Sequence, residues 1–256
     1  MIYCFSGTGN SLRAARLLAQ ELKDEVVLMT EAAPERISAD KTQTLGFVFP
    51  VYAWGLPRVV SHFIRQLPPA PKNAPRHVYA VLTCGDDIGC TDRLLRNALK
   101  ERGYRLAAVY SVQMRNTYVC LPGFDVDSPR VEQSKTAEAE KRLHAIARNI
   151  AHQRPSSPED VVPGSWPRLK SYVLRPLFNR FLTSDRHFRA DTSLCTGCGR
   201  CTRLCPLHNI RLDPVARTPL WRSHCTHCLA CYHCCPHHAI SYGKFTKGKG
   251  QVAINI

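Results

Sequence analysis

Residues 1–22 read MIYCFSGTGNSLRAARLLAQEL, and the way this stretch changes period decides how the chain is read. Residues 1–5 are a short apolar run of strand length. The run breaks at Ser6-Gly7-Thr8-Gly9-Asn10-Ser11, and beyond it Leu12, Ala15, Ala19 and Leu22 recur at helical spacing. A buried strand, a glycine turn and an amphipathic helix in that order open an alternating β/α chain.

The alternation continues to about residue 150. Apolar runs at 26–29, 45–49, 78–82 and 106–112 predict four more strands. Between them, Pro57 opens a helix with Val60, Phe63, Ile64 and Leu67 inward, and a helix carrying Leu94, Leu95, Ala98 and Leu99 stops at Gly103. Ser128-Pro129 is expected to cap a last, long helix that buries Val131, Ala139, Leu143, Ile146 and Ile150. The expected class is α/β, a doubly wound five-stranded parallel sheet covered on both faces, with any ligand at the carboxyl ends of its strands.

Three strand ends carry chemistry. In the first loop, Gly7 and Gly9 let backbone N–H groups approach a phosphate, and Ser6, Thr8 and Ser11 offer hydroxyls at a helix N-terminus, with Asn10 between them. Leu12 stands where a dinucleotide fingerprint needs a third glycine, and no Gly-Lys-Ser/Thr follows, so a monophosphate suits the loop best. An ordinary Gly-Thr-Gly turn is the competing reading. The second strand end, Pro50-Val51-Tyr52-Ala53-Trp54-Gly55, presents two aromatic rings on which a planar group could stack, unless they merely pack between helix and sheet. The third is Thr83-Cys84-Gly85-Asp86-Asp87, a further glycine turn.

The second half has a different composition. Residues 151–256 hold nine of the 13 cysteines and eight of the 11 histidines. Cys195-x2-Cys198-x2-Cys201-x3-Cys205-Pro is repeated as Cys225-x2-Cys228-x2-Cys231-x3-Cys235-Pro, every position offset by 30 residues. Such runs bind two [4Fe–4S] clusters, the fourth cysteine of each run reaching across to the other cluster. Cys195, Cys198, Cys201 and Cys235 would hold one cluster, and Cys225, Cys228, Cys231 and Cys205 the second. A pair of zinc sites would use neither the third cysteine nor the Cys-Pro. Cys234 also sits at x2 spacing from Cys231, but Cys235 alone precedes proline, so Cys234 is read as a free buried thiol. Cys4, Cys84, Cys90 and Cys120 are read as core residues.

These motifs resemble two known families. The Ser-Gly-Thr-Gly-Asn-Ser, Pro-Val-Tyr-Ala-Trp-Gly and Thr-Cys-Gly loops resemble those of flavodoxins over about the first 150 residues, and the cysteine runs resemble bacterial two-cluster ferredoxins. The whole chain resembles the flavodoxin/ferredoxin fusion proteins. The resemblance implies FMN bound by Ser6–Ser11, Pro50, Tyr52, Ala53, Trp54, Thr83, Cys84 and Gly85, two [4Fe–4S] clusters, and electron transfer between them and a redox partner. Asp86 and Asp87 depart from the smaller residues usual in that loop. They are also the only acids nominated for the alternative, a flavin-dependent reductase of a small substrate. A ferredoxin whose flavodoxin-like domain no longer binds flavin is a further alternative.

The domain division expected is 1–152, a linker with a docking helix at 153–187, and a small α+β ferredoxin domain at 188–256. In the linker Leu169, Val173, Leu177 and Phe181 recur four apart beside Arg168, Lys170, Arg175 and Arg180, with Pro176 interrupting. This stripe is expected to pack on its own protein rather than on a membrane surface. The chain carries 35 Lys+Arg against 20 Asp+Glu, formal charge +15. Two clusters and an FMN phosphate would bring this to about +9. Asp213 is the only acid from Cys195 onward, which favours an acidic redox partner on the ferredoxin half. Positive charge there is expected to raise the cluster potentials, with pH dependence if the histidines, read as solvated, titrate. No nucleic-acid recognition motif is present. No basic segment precedes an apolar core at the start, and no run reaches the roughly 20 apolar residues of a spanning helix, so the expected location is cytoplasmic.

Overall fold

The computed structural model describes residues 1–34, 44–70 and 77–254. The first half is a five-stranded parallel sheet in the order β2-β1-β3-β4-β5, formed by β1 Ile2–Cys4, β2 Val26–Leu28, β3 Thr44–Pro50, β4 His77–Cys84 and β5 Leu106–Gln113. That order is the flavodoxin-like one, with its reversal point between β1 and β3. The sequence places all five strands. Helices α1 (Asn10–Leu22) and α4 (Pro129–Ala151) cover one face, and α2 (Arg58–Gln66) and α3 (Thr91–Glu101) the other.

Burial on both faces explains why the strands read as unbroken apolar runs rather than as alternating ones: all eight residues of β4 are buried. On one side Phe47, Phe49, Ala80 and Leu82 meet Phe63, Ile64 and Leu95. On the other Val48, Val81 and Tyr110 meet Leu18, Leu143 and Ile146. Two expectations for α4 need correcting. Val131 is exposed, because the helix has not yet reached the sheet at that point, and the Ser128 hydroxyl makes no cap bond; Pro129 at the first helical position sets the start instead.

The second half is two small antiparallel pairs, β6 (Phe188–Ala190) with β9 (Ile240–Tyr242) and β7 (Ile210–Leu212) with β8 (Pro219–Trp221). Short helices at Arg200–Arg203 and Ala230–Cys234 carry the third cysteines, Cys201 and Cys231. This half does not close its core alone. Val119 and Cys120, from the segment after β5, are buried among Phe188, Cys201, Cys231 and Tyr232. The chain's end returns to the same segment: Lys249 Nζ donates to the Val119 carbonyl at 2.8 Å, and Val252 N–H donates to His233 Nδ1 at 3.2 Å.

Between the halves, residues 167–181 form one helical stretch, wound as a π-helix over Lys170–Leu174. The wide turn ends just ahead of Pro176 and absorbs its missing donor. It packs on the sheet half through polar side chains: Ser171 Oγ donates to the Trp54 carbonyl at 2.8 Å, and Arg175 to the Leu56 carbonyl at 3.0 Å. Leu169, Val173, Leu177 and Phe181 all point outward, so the apolar stripe is not the docking face.

Glycine matters inside the sheet at Gly46, which lies opposite Tyr79 in the β3–β4 register; a Cβ there would stand 2.5 Å from the Tyr79 ring. Gly46→Ala is expected to lower the unfolding free energy by about 1–3 kcal/mol, as overpacking does, read from the denaturant midpoint.

Candidate functional site

The three sequence-nominated loops converge at the carboxyl edge of the sheet. In the first, Ser6 Oγ accepts from the N–H groups of Gly9 at 3.2 Å and Leu12 at 3.3 Å, which folds the loop back onto the start of α1. Gly9, at φ 100°, makes the turn into the helix. The buried Ser11 and Thr83 hydroxyls, 2.7 Å apart, tie this loop to the third. The second loop is a tight reversal: Tyr52 and Gly55 exchange both backbone hydrogen bonds at 3.1 Å, with Ala53 at φ 45° and Trp54 at φ 56°. Two non-glycine residues in the left-handed region carry a cost of order 1–3 kcal/mol each and are typical of sites whose surroundings impose the conformation.

Together the loops line a cavity of about 370 Å³, and every residue of the three loops except Gly9 and Gly55 is in its wall. The volume lies within the range of cofactor pockets. Sequence reasoning missed a fourth wall, Arg115, Asn116, Thr117 and Tyr118, although it follows β5 at the same sheet edge. No glycine marks this loop. Its polar links hold the first one: Asn10 Nδ2 donates to the Arg115 carbonyl at 3.0 Å, and Arg115 Nε to Asn10 Oδ1 at 3.3 Å. Gly85 is required by this wall, since a Cβ there would lie 1.7 Å from Asn116 Oδ1. Asp87 is already committed, its carboxylate 2.5 Å from Lys170 Nζ, and Lys170 lies 5.5 Å from the centre of the Trp54 ring. Asp86 is mostly exposed.

The last wall comes from the ferredoxin half. Cys225, Thr226, His227, Cys228 and Leu229 border the same cavity. A Cβ on Gly7 would stand 2.5 Å from Cys228 Cβ and 2.6 Å from the Tyr52 hydroxyl, so the phosphate-type loop and the second cysteine run are in direct contact. Burial, with Cys228 and Cys225 adding to it, pushes the Tyr52 hydroxyl far up and keeps it protonated.

The cysteines sort into two groups. Cys195, Cys198, Cys201 and Cys235 line one small cavity, closed by Leu212 and Ile240, from which Cys205 is absent. Burial, then Cys198, Cys235 and Cys195, push the Cys201 thiol up to about 11. In the other group burial, with Asp185 and Cys205 adding to it and the His227 N–H opposing, pushes Cys225 up to about 12. Among the described residues no three Cys, His, Asp or Glu side chains converge on a point that would hold a single metal ion. Asn209 N–H donates to Cys205 Sγ and Ala239 N–H to Cys235 Sγ, each at 3.3 Å, so the 30-residue repeat extends to the hydrogen bonds. Cys234 is buried, with its thiol donating to the Cys231 carbonyl.

Two histidines depart from the expectation that all are solvated. His227 and His233 are buried, and burial holds both down at about 4. His233 Nε2 donates to the Thr117 carbonyl at 2.8 Å while Nδ1 accepts from Val252 N–H, which fixes it neutral. His227 borders the cavity with neither ring nitrogen partnered by the protein. Ser6, Thr8, Asn10 and Ser11 at the start of α1 line this cavity together with the Tyr52 and Trp54 rings, a donor set and a size that fit a phosphate-bearing flavin.

A histidine held neutral when folded opposes unfolding above about pH 6.5. The unfolded chain binds the extra proton as pH falls from there towards 4, so stability drops. Between pH 7.5 and 5.5 His233 is expected to remove about 1 kcal/mol of unfolding free energy, and His233→Gln to flatten that slope.

Residues 194–240 match the family model described as a 4Fe-4S dicluster domain. No curated protein matches the chain. Among solved structures, an FMN-dependent NADH-azoreductase from Bacillus anthracis is 10% identical, covering 59% of this chain and 98% of its own, with TM-score 0.43. A flavodoxin from Streptococcus pneumonia TIGR4 is 15% identical over 59% and 97%, with TM-score 0.41. A putative flavoprotein from Bacteroides uniformis is 17% identical over 44% and 88%, with TM-score 0.36. By its own strand order and by the matched segment, the chain is a flavodoxin-like sheet joined to a 4Fe-4S dicluster domain, the layout of a flavodoxin–ferredoxin fusion.

Proposed function

We propose that the chain is an electron-transfer protein, passing electrons between an FMN held in the cavity at the sheet edge and two [4Fe–4S] clusters, and from there to or from a partner protein. The observation that carries this reading is the contact of Gly7 with Cys228, which makes a proposed cluster ligand part of the flavin cavity wall. When bound, the flavin would exchange one or two electrons and each cluster one.

The residues would divide the work by position. Ser6–Ser11 receive the phosphate at the start of α1. Pro50, Tyr52, Ala53 and Trp54 bound the ring on one side, and Thr83, Cys84 and Gly85 on another. Cys225, Cys228, Cys231 and Cys205 hold the cluster next to the flavin, and Cys195, Cys198, Cys201 and Cys235 the far one. Cys198 is exposed and has Arg200 and Arg203, both exposed, beside it, so the far cluster is where an acidic redox partner would dock. A reductase of a small substrate finds less support, because Asp87 is bound to Lys170.

Three measurements test the proposal. Anaerobically purified protein is expected to hold about eight iron atoms and one FMN per chain, and about eight iron without flavin would leave a ferredoxin alone. Cys235→Ala should lose about half the iron, whereas Cys234→Ala should keep it. Gly7→Val should abolish flavin retention by forcing the first loop away from Cys228 and Tyr52 and so deforming the cavity. Equal iron loss in the two cysteine variants would overturn the ligand assignment.

A further inference from the structure

Most of the large apolar side chains left exposed among the described residues lie between Trp166 and Phe181. On the 167–181 helix the inward positions are Lys170, Ser171, Arg175, Phe178 and Asn179, a mainly polar set, and Leu169, Tyr172, Val173, Leu174, Leu177 and Phe181 face out. Leu177 is 51% exposed, Phe181 62%, and Trp166, just before the helix, 75%. A surface helix normally buries its apolar stripe. Here the reverse orientation is fixed from within: the Lys170–Asp87 ion pair, the Ser171 hydroxyl on the Trp54 carbonyl and the Arg175 guanidinium on the Leu56 carbonyl leave the helix no freedom to turn. Gly55 and Gly89 make the close approach possible, since a Cβ on either would collide with Arg175 or Ser171.

An apolar ridge of this size needs a cover. We propose that it lies in the headgroup region of an anionic membrane, anchoring the protein to the bilayer surface without spanning it. Residues 161–184 contain no Asp or Glu, and while Lys170 and Arg175 are committed inward, Arg168 and Arg180 are exposed at either end of the stripe. Trp166, Tyr172 and Phe181 are the kinds of ring that settle at a membrane–water boundary, and Leu and Val fill the rest of the face. A second copy of the chain is a poorer cover. Two such ridges laid together would bring Arg168 and Arg180 of one against those of the other, with no acid in either segment to answer them. A helix lying on the surface is also a ridge rather than a groove, which a deformable lipid phase accepts without a complementary cleft. Among the described residues no helix is long and apolar enough to cross a membrane, so the contact would be peripheral.

The test uses the full chain purified anaerobically with its cofactors. It should co-sediment with phosphatidylcholine vesicles containing phosphatidylglycerol, much less with pure phosphatidylcholine, and be released by high salt. Leu177→Glu/Phe181→Glu should reduce binding at least about tenfold. Val215→Glu, at an exposed apolar site elsewhere, should bind as the parent does. In the unaltered protein, brominated lipid should quench a component of the emission that Trp166→Phe removes, which reads insertion without relying on the Glu variants. Absence of binding to the anionic vesicles, or binding that the Glu pair leaves unchanged, would refute the proposal. So would light scattering showing a dimer that the Glu pair splits, or vesicle binding lost to an acidic protein that occupies the same ridge.

Discussion

The structure depends on one close approach, that of the Gly7 backbone to Cys228. Everything around it is arranged so that nothing larger than hydrogen projects at that point. Because Val119 and Cys120 are buried in the ferredoxin-type core, and His233 and Lys249 bond to the backbone at Thr117 and Val119, the two halves share one interior after β5. The separation between the proposed flavin cavity and the nearer cysteine group is therefore set by packing and needs no domain closure. Electron-transfer rates fall steeply with distance, so the proposed function would gain more from this fixed short gap than from a flexible tether.

The same economy of space appears where the 167–181 helix crosses the sheet edge. Gly55 and Gly89 remove side chains from its path, and Lys170, Ser171 and Arg175 supply the bonds. The helix also closes the cavity, since Lys170 and Phe178 are part of its wall. A segment that reads as a linker thus shapes the proposed cofactor site with one side and presents an apolar surface with the other.

Much of this was legible in the sequence for identifiable reasons. The five strands declare themselves because both sheet faces are covered, which makes each strand a continuous apolar run. The cysteine runs are legible because their spacing is written in the sequence itself and does not depend on what packs around them. What was hidden follows from the limits of periodicity. The spacing of Leu169, Val173, Leu177 and Phe181 announces a stripe and does not say which way it faces; that is decided by hydrogen bonds to Trp54, Leu56 and Asp87, more than 80 residues away. The Arg115–Tyr118 wall carries no glycine and no repeated pattern, and only its place after a strand end marked it. His227 looked like one exposed histidine among several because burial depends on Tyr118, Phe188 and Tyr242 gathering around its ring.

The backbone of the two cysteine runs repeats as faithfully as their cysteines, with left-handed conformations at 197, 199 and 208 recurring at 227, 229 and 238. The residues there differ: the outer run has Gly197 and Gly199, and the inner run has His227 and Leu229, each bearing a conformational cost of order 1 kcal/mol that glycine avoids. The two runs thus meet different surroundings. Gly197 is buried beneath Arg217, where a Cβ would stand 2.9 Å from that side chain, whereas His227 and Leu229 are buried side chains that border the cavity at the sheet edge. With Cys198 exposed on the outer run, the proposed electron path would have a polarity, an inner terminal sealed against the sheet and an outer one open to solvent.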